Sequence, residues 1–145
     1  MSGIYRLDDL RVDTRRRSVQ RGDAALEVGG LSFDLLAYLL SQGDRVVSFD
    51  ELIAAVWTPA IVGEETVTQR VKLLRQALDD DGRNPRYLRS VRGKGYQLCS
   101  TPQVLPDIGA AAVPATPTTG PRRVLLLLVL PLLALAVLLL LRRID

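Results

Sequence analysis

Eighteen consecutive apolar residues, Val124–Leu141, stand near the C-terminal end of this chain and divide it into parts that cannot share one core. As a helix the run would be about 27 Å long at 1.5 Å per residue, close to the ~30 Å hydrocarbon thickness of a bilayer. It has no polar stripe, so a helix built from it is apolar all round, which suits lipid better than one face of a folded domain. Arg122–Arg123 and Arg142–Arg143 flank it and are placed to meet headgroups on both sides. Two arginines at each end leave its orientation unset by charge. Pro131 lies mid-span, and helices embedded in lipid tolerate such a residue. The C-terminal position distinguishes the run from a cleavable leader. A transmembrane helix over 122–143 is therefore expected, with the lipid bilayer as a partner and only Arg142–Asp145 beyond the apolar run.

Before it, Thr101–Pro121 holds five of the eight prolines, among small and polar residues. That composition predicts a flexible linker over 101–121, spanning roughly 25 Å as a coil and about 65 Å if fully extended. Residues 1–100 are then the folded domain, long enough to bury a core without staples. Cys99 is the sole cysteine and there is no histidine, so an intrachain disulfide and the usual zinc ligand set are both excluded. No nucleophile–base pair stands out. The Gly-Lys-Gly of 93–95 lacks the spacing of a phosphate-binding loop. Asp8–Asp9 and Asp79–Asp81 read as exposed, solubilising turn residues. No catalytic residue, metal site or cofactor is expected.

Within the domain, Tyr5–Leu7, Leu10–Asp13, Ser18–Arg21 and Ala24–Val28 alternate with turn signals and predict a small antiparallel meander. Three helical patterns follow. Ser32 is placed to cap a helix carrying Phe33, Leu35, Leu36, Leu39 and Leu40, with Gly43 as its stop. Ser48-Phe-Asp-Glu51 is a capping box, in which serine and glutamate each satisfy a free backbone N–H of the other. Its helix turns Leu52, Ile53, Val56 and Trp57 inward and ends at Pro59. The third helix starts near Glu64–Glu65, whose charges suit the positive end of the helix dipole. Its stripe of Val67, Val71, Leu74 and Leu78 faces inward.

That stripe turns Glu65, Thr68, Gln69, Lys72 and Gln76 outward, with Arg70 and Arg75 on the flanks. Groups of this kind read base edges and neutralise phosphates. Downstream, Leu88, Val91, Tyr96 and Leu98 bracket Arg92-Gly-Lys-Gly95, a pattern for a tight hairpin with two cations at its tip. From Thr66 to Leu98 eight basic residues stand against three acids, a net of five positive charges in a chain whose total is +3. Such a concentration points to a polyanion. A solvated helix face beside a basic hairpin would show the same charge.

Residues 1–100 resemble the OmpR/PhoB-type winged-helix effector domain of bacterial transcription regulators. The resemblance rests on LSFDLLAYLLSQGDRVVSFDELIAAVW and on EETVTQRVKLLRQALDDDGRNPRYLRSVRGKGYQL, and is closest to the membrane-spanning CadC/ToxR kind. It implies an α+β winged helix-turn-helix: an N-terminal antiparallel sheet, three helices and a C-terminal β-hairpin wing, then linker and membrane helix. Glu64–Asp79 would be the recognition helix in the major groove of promoter DNA, and Arg92 would enter the minor groove from the wing over 89–96. Thr66, Thr68, Gln69, Arg70, Lys72, Arg75 and Lys94 would meet bases or phosphates, and the loop 58–63 would face RNA polymerase. Leu73 departs from the pattern, since many relatives carry a basic residue there. The resemblance further implies an inner (cytoplasmic) membrane location with the N-terminal domain in the cytoplasm, two copies forming a homodimer on DNA, and sensing through the membrane helix or a membrane sensor partner. Relatives of this kind lead one to expect a receiver domain before this domain or a sensor domain after the span; the sequence holds neither, so the expectation is either sensing through the membrane helix or a partner, or a shortened relative. The competing reading is a tail-anchored winged-helix module that binds protein and not DNA, which calls for an exposed apolar patch.

Overall fold

A computed structural model describes residues 3–106. Four short strands open the fold: β1 (Ile4–Leu7), β2 (Leu10–Asp13), β3 (Ser18–Arg21) and β4 (Ala24–Leu26). They form the expected meander, all neighbours antiparallel, with Tyr5 opposite Val12 and Val12 opposite Val19. Strand alternation puts Tyr5, Leu7, Leu10, Val12 and Val19 on one face, and all five are buried.

Helix α1 (Gly30–Ser41) lies at the centre of the core. At 3.6 residues per turn, Phe33, Leu35, Leu36, Leu39 and Leu40 spread over about 160° of its circumference, and each is at most 2% exposed. A helix so broadly apolar has to be covered on several sides. The expected cap is corrected here. The helix begins two residues before Ser32, its N-cap is Gly29 without a side-chain hydrogen bond, and Ser32 is buried in the first turn. Gly30, in the left-handed region at φ +54°, turns the chain into the helix. The Arg17 guanidinium then ties that first turn down, donating to the Gly30 carbonyl at 3.1 Å and to Asp34 at 2.6 Å.

Helix α2 (Phe49–Val56) begins with the predicted capping box intact. Glu51 N donates to Ser48 Oγ at 3.2 Å and Ser48 N donates to Glu51 Oε2 at 3.2 Å. Leu52 and Trp57 are buried as expected, while Ile53 and Val56 are half-buried against the core. Helix α3 (Glu64–Leu78) follows, then the hairpin of β6 (Leu88–Val91) and β7 (Gly95–Leu98).

Two strands go beyond the sequence expectation. β5 (Val47–Ser48) precedes α2 and pairs with β7, making a three-stranded sheet in the order β5-β7-β6. Val47 opposes Tyr96 and Ser48 opposes Gly95. A Cβ at Gly95 would lie 2.0 Å from the Val47 carbonyl oxygen, so only glycine allows this approach. β8 (Gln103–Leu105) pairs antiparallel with β1 and completes a five-stranded sheet in the order β4-β3-β2-β1-β8. The first residues of the segment read as linker over 101–121 thus belong to the folded domain. The rest of that segment and the apolar run Val124–Leu141 lie outside the described residues. No helix among those described is long and apolar enough to cross a membrane.

The capping box gives a direct test. The Arg45 guanidinium, 2.7 Å away, and then the Ser48 N–H hold the Glu51 carboxyl down at about 2. A carboxyl lowered on folding stabilises the fold above its ordinary value of 4.5, and that contribution is lost as pH falls toward about 2. Glu51→Gln should therefore flatten the pH dependence of thermal unfolding between those limits. Ser48→Ala should cost about 1 kcal/mol in urea denaturation at neutral pH.

Candidate nucleic-acid interface

Helix α3 is oriented by its inner stripe. Val67, Val71, Leu74 and Leu78 are each at most 1% exposed, which fixes the opposite side toward solvent. Glu65, Thr68, Gln69, Lys72 and Gln76 are all exposed, as the sequence predicts. Thr66 and Arg70 are half-buried on one flank, and Arg75 is half-buried on the other. The Thr68 hydroxyl donates to the Glu64 carbonyl at 3.0 Å, leaving it an acceptor toward solvent. Leu73 is 48% exposed on this otherwise polar side.

The hairpin closes where Lys94 N donates to the Val91 carbonyl at 3.0 Å, around Gly93 at φ +66°. Arg92 and Lys94 are exposed at its tip. Among the described residues no hydrogen bond or ion pair engages the side chains of Arg70, Lys72, Arg92 or Lys94. Lys94 and Gly93 share a hollow of about 420 Å³ with Ser48, Glu51 and Glu64. The tip therefore sits beside the N-terminal ends of α2 and α3.

The other end of the hairpin is held by Arg75. Its Nε and Nη2 donate to the Leu88 carbonyl at 3.3 and 2.8 Å, Nη2 also donates to Ser90 Oγ at 3.2 Å, and the guanidinium lies 5.9 Å from the Tyr96 ring centre. Of the eight residues expected to contact a polyanion, the structure gives Arg75 a bracing role, with the other seven arrayed along one helix and one hairpin tip.

Sequence reasoning missed the partner brace. Asp79 takes a left-handed conformation at φ 50° and ends α3, and Asp80 is then buried. The Asp80 carboxylate accepts backbone N–H groups from Arg86 at 2.7 Å, Leu88 at 3.1 Å and Tyr87 at 3.4 Å. This corrects the reading of Asp79–Asp81 as a purely solubilising run. Nothing in three consecutive aspartates marks the middle one as the anchor. Asp8 and Asp9 also make specific contacts. Arg86 bridges to them at 2.9 and 3.1 Å, and the Tyr87 hydroxyl donates to Asp9 at 2.6 Å. Burial pushes the Asp9 carboxyl up, but the Tyr87 hydrogen bond with Arg86 and Arg21 nearby outweighs it and holds the group below its ordinary value.

Three helices with a two-stranded wing beside the third define a winged helix-turn-helix domain of the α+β class. The chain belongs to the OmpR/PhoB-type family of DNA-binding domains: the family described as "Transcriptional regulatory protein, C terminal" matches residues 23–98. This is a family of transcription-factor domains and not of enzymes. The chain is similar to the sensory transduction protein RegX3 of Mycobacterium leprae, 37% identical over 97 residues that cover 66% of this chain and 49% of that protein. It is also similar to the phosphate regulon transcriptional regulatory protein PhoB of Escherichia coli K12, 33% identical over 96 residues, covering 66% and 42%. The chain thus spans less than half the length of these relatives. Among solved structures, the DNA-binding domain of E. coli CadC superimposes with a TM-score of 0.63 at 30% identity, covering 71% of this chain and 97% of that one.

Removing the buried acceptor should be costly. Asp80→Ala strands backbone N–H groups in the interior and should lose roughly 3 kcal/mol of stability by urea denaturation. Hydrogen exchange should rise first in residues 86–98. Arg75→Met, which keeps the apolar stem, should cost less and loosen the hairpin without unfolding α1.

Proposed function

We propose that this protein is a sequence-specific transcriptional regulator that binds promoter DNA from the cytoplasmic face of the inner membrane, to which its C-terminal apolar run tethers it. One observation carries the DNA-binding part: α3 offers an uninterrupted outer face, with the unengaged cations of the wing tip beside its N-terminal end. In this reading α3 lies in the major groove. Gln69 and Lys72 meet base edges, Thr66, Thr68 and Arg70 meet bases or flanking phosphates, and Arg92 reaches into the minor groove with Lys94 on the backbone. Arg75 contributes by holding the wing in place. The likeness to the CadC DNA-binding domain supports the assignment.

The tether rests on the sequence of Val124–Leu141 and its arginine flanks. Membrane confinement raises the local concentration of the domain, which favours two copies on adjacent half-sites of one operator. A membrane sensor partner, or the span itself, would supply the signal. The loop 58–63 is the proposed contact with RNA polymerase, and Ile61 at its centre is fully exposed. The protein-binding alternative is less well supported. Among the described residues, the exposed large apolar side chains Ile61, Leu73 and Val104 lie on three different segments and form no common stripe.

Two measurements test this reading. Affinity of the full chain for a duplex selected from random DNA should fall steeply with salt, and Arg92→Ala should weaken it and reduce the log–log slope by about 1. A flat response would contradict DNA binding. In cells the full chain should sediment with membranes and resist a high-salt wash, whereas a chain ending at residue 106 should be released.

A further inference from the structure

Leu73 is the residue that fits poorly with a plain polar surface. It stands on the outer side of α3, 48% exposed, one helical turn from Gln69 and next to Lys72. The 3.6-residue period places it on the flank opposite Arg75, hence away from the wing and toward the side shared with Thr66. It stabilises nothing visible in the core, because the four inward positions of α3 are already filled by Val67, Val71, Leu74 and Leu78. Nor does it join an apolar patch: its outward neighbours Gln69, Lys72 and Gln76 are all polar and exposed.

Resting on the DNA-binding reading above, we infer that Leu73 determines specificity by packing against the C5 methyl of a thymine. A helix in the major groove meets four patterns of donors and acceptors but one kind of apolar group on the base edges, and that group is the thymine methyl. An isobutyl side chain cannot hydrogen-bond to guanine, adenine or cytosine, and placing it over their polar edges removes water without replacing its hydrogen bonds. Only thymine offers it a favourable contact. Gln69, one turn away on the same side, has the amide geometry that pairs with adenine N6 and N7. The two side chains together select an adenine–thymine-containing step within the half-site. A basic residue at position 73 would instead favour guanine or a phosphate.

Deoxyuridine isolates the methyl, since it differs from thymidine by that group alone. A duplex selected from random sequence with the full chain is resynthesised with each thymine of the half-site replaced in turn by uracil. One position should lose about fourfold in affinity, the value of one buried methyl-sized group. Leu73→Ala, which leaves the core stripe intact and should unfold at an unchanged temperature, should bind the thymine duplex more weakly and show no further loss on the uracil duplex. Leu73→Met should keep the discrimination. If wild type binds every uracil duplex as tightly as thymine, or if Leu73→Ala still discriminates, the assignment to Leu73 is overturned while DNA binding stands. If no duplex is selected at all, the functional reading fails and this inference with it.

Discussion

The Asp80 carboxylate holds the two halves of the exposed surface together. It follows the last turn of α3 and receives the N–H groups of Arg86, Tyr87 and Leu88, the residues that lead into the hairpin. A buried carboxylate is costly unless its charge is met by hydrogen-bond donors, and here three converge on it. Arg75, one turn earlier in α3, grips the same strand from the other side through the Leu88 carbonyl. Helix and wing are separate elements in sequence, yet these contacts leave little freedom for one to move without the other. A duplex meeting both would find them already spaced, so less ordering entropy is spent on binding.

The N-terminal sheet completes this frame from behind. Its inner face closes the core around α1, and Arg21 at the end of β3 reaches the far end of α3. The Arg21 guanidinium donates to the Leu78 carbonyl and lies 3.6 Å from Asp9. A cation at that carbonyl suits the negative end of the helix dipole. Asp9 in turn receives the Tyr87 hydroxyl, so sheet, helix end and hairpin root meet at one polar cluster. β8 adds an outer strand beside β1 and extends the fold past residue 100.

Local rules made much of this readable in advance. The capping box at Ser48 and Glu51 needs only four adjacent residues, and the α3 stripe needs only a 3.6-residue period; both match the structure. What stayed hidden depends on distant partners. Val47–Ser48 is too short to show alternation, and becomes a strand because Gly95 lets β7 approach it. Gln103–Leu105 sits among prolines, and its pairing with β1 has no local signature. Ser32 has the better capping side chain, yet the turn that Gly29 and Gly30 permit starts the helix earlier. The outward residues of α3 were legible, whereas the inward reach of Arg75 and the burial of Asp80 were not, because charge alone does not tell a brace from a contact.

The outer side of α3 and the wing tip together are the proposed duplex-binding surface. Amide NMR of the labelled protein, titrated with a selected duplex, tests it most directly. Shifts should concentrate at residues 64–76 and 90–95 and leave the outward residues of β1–β3, Arg6, Arg11 and Gln20, unmoved. Shifts centred on that sheet instead, or at 58–63 without α3, would contradict it.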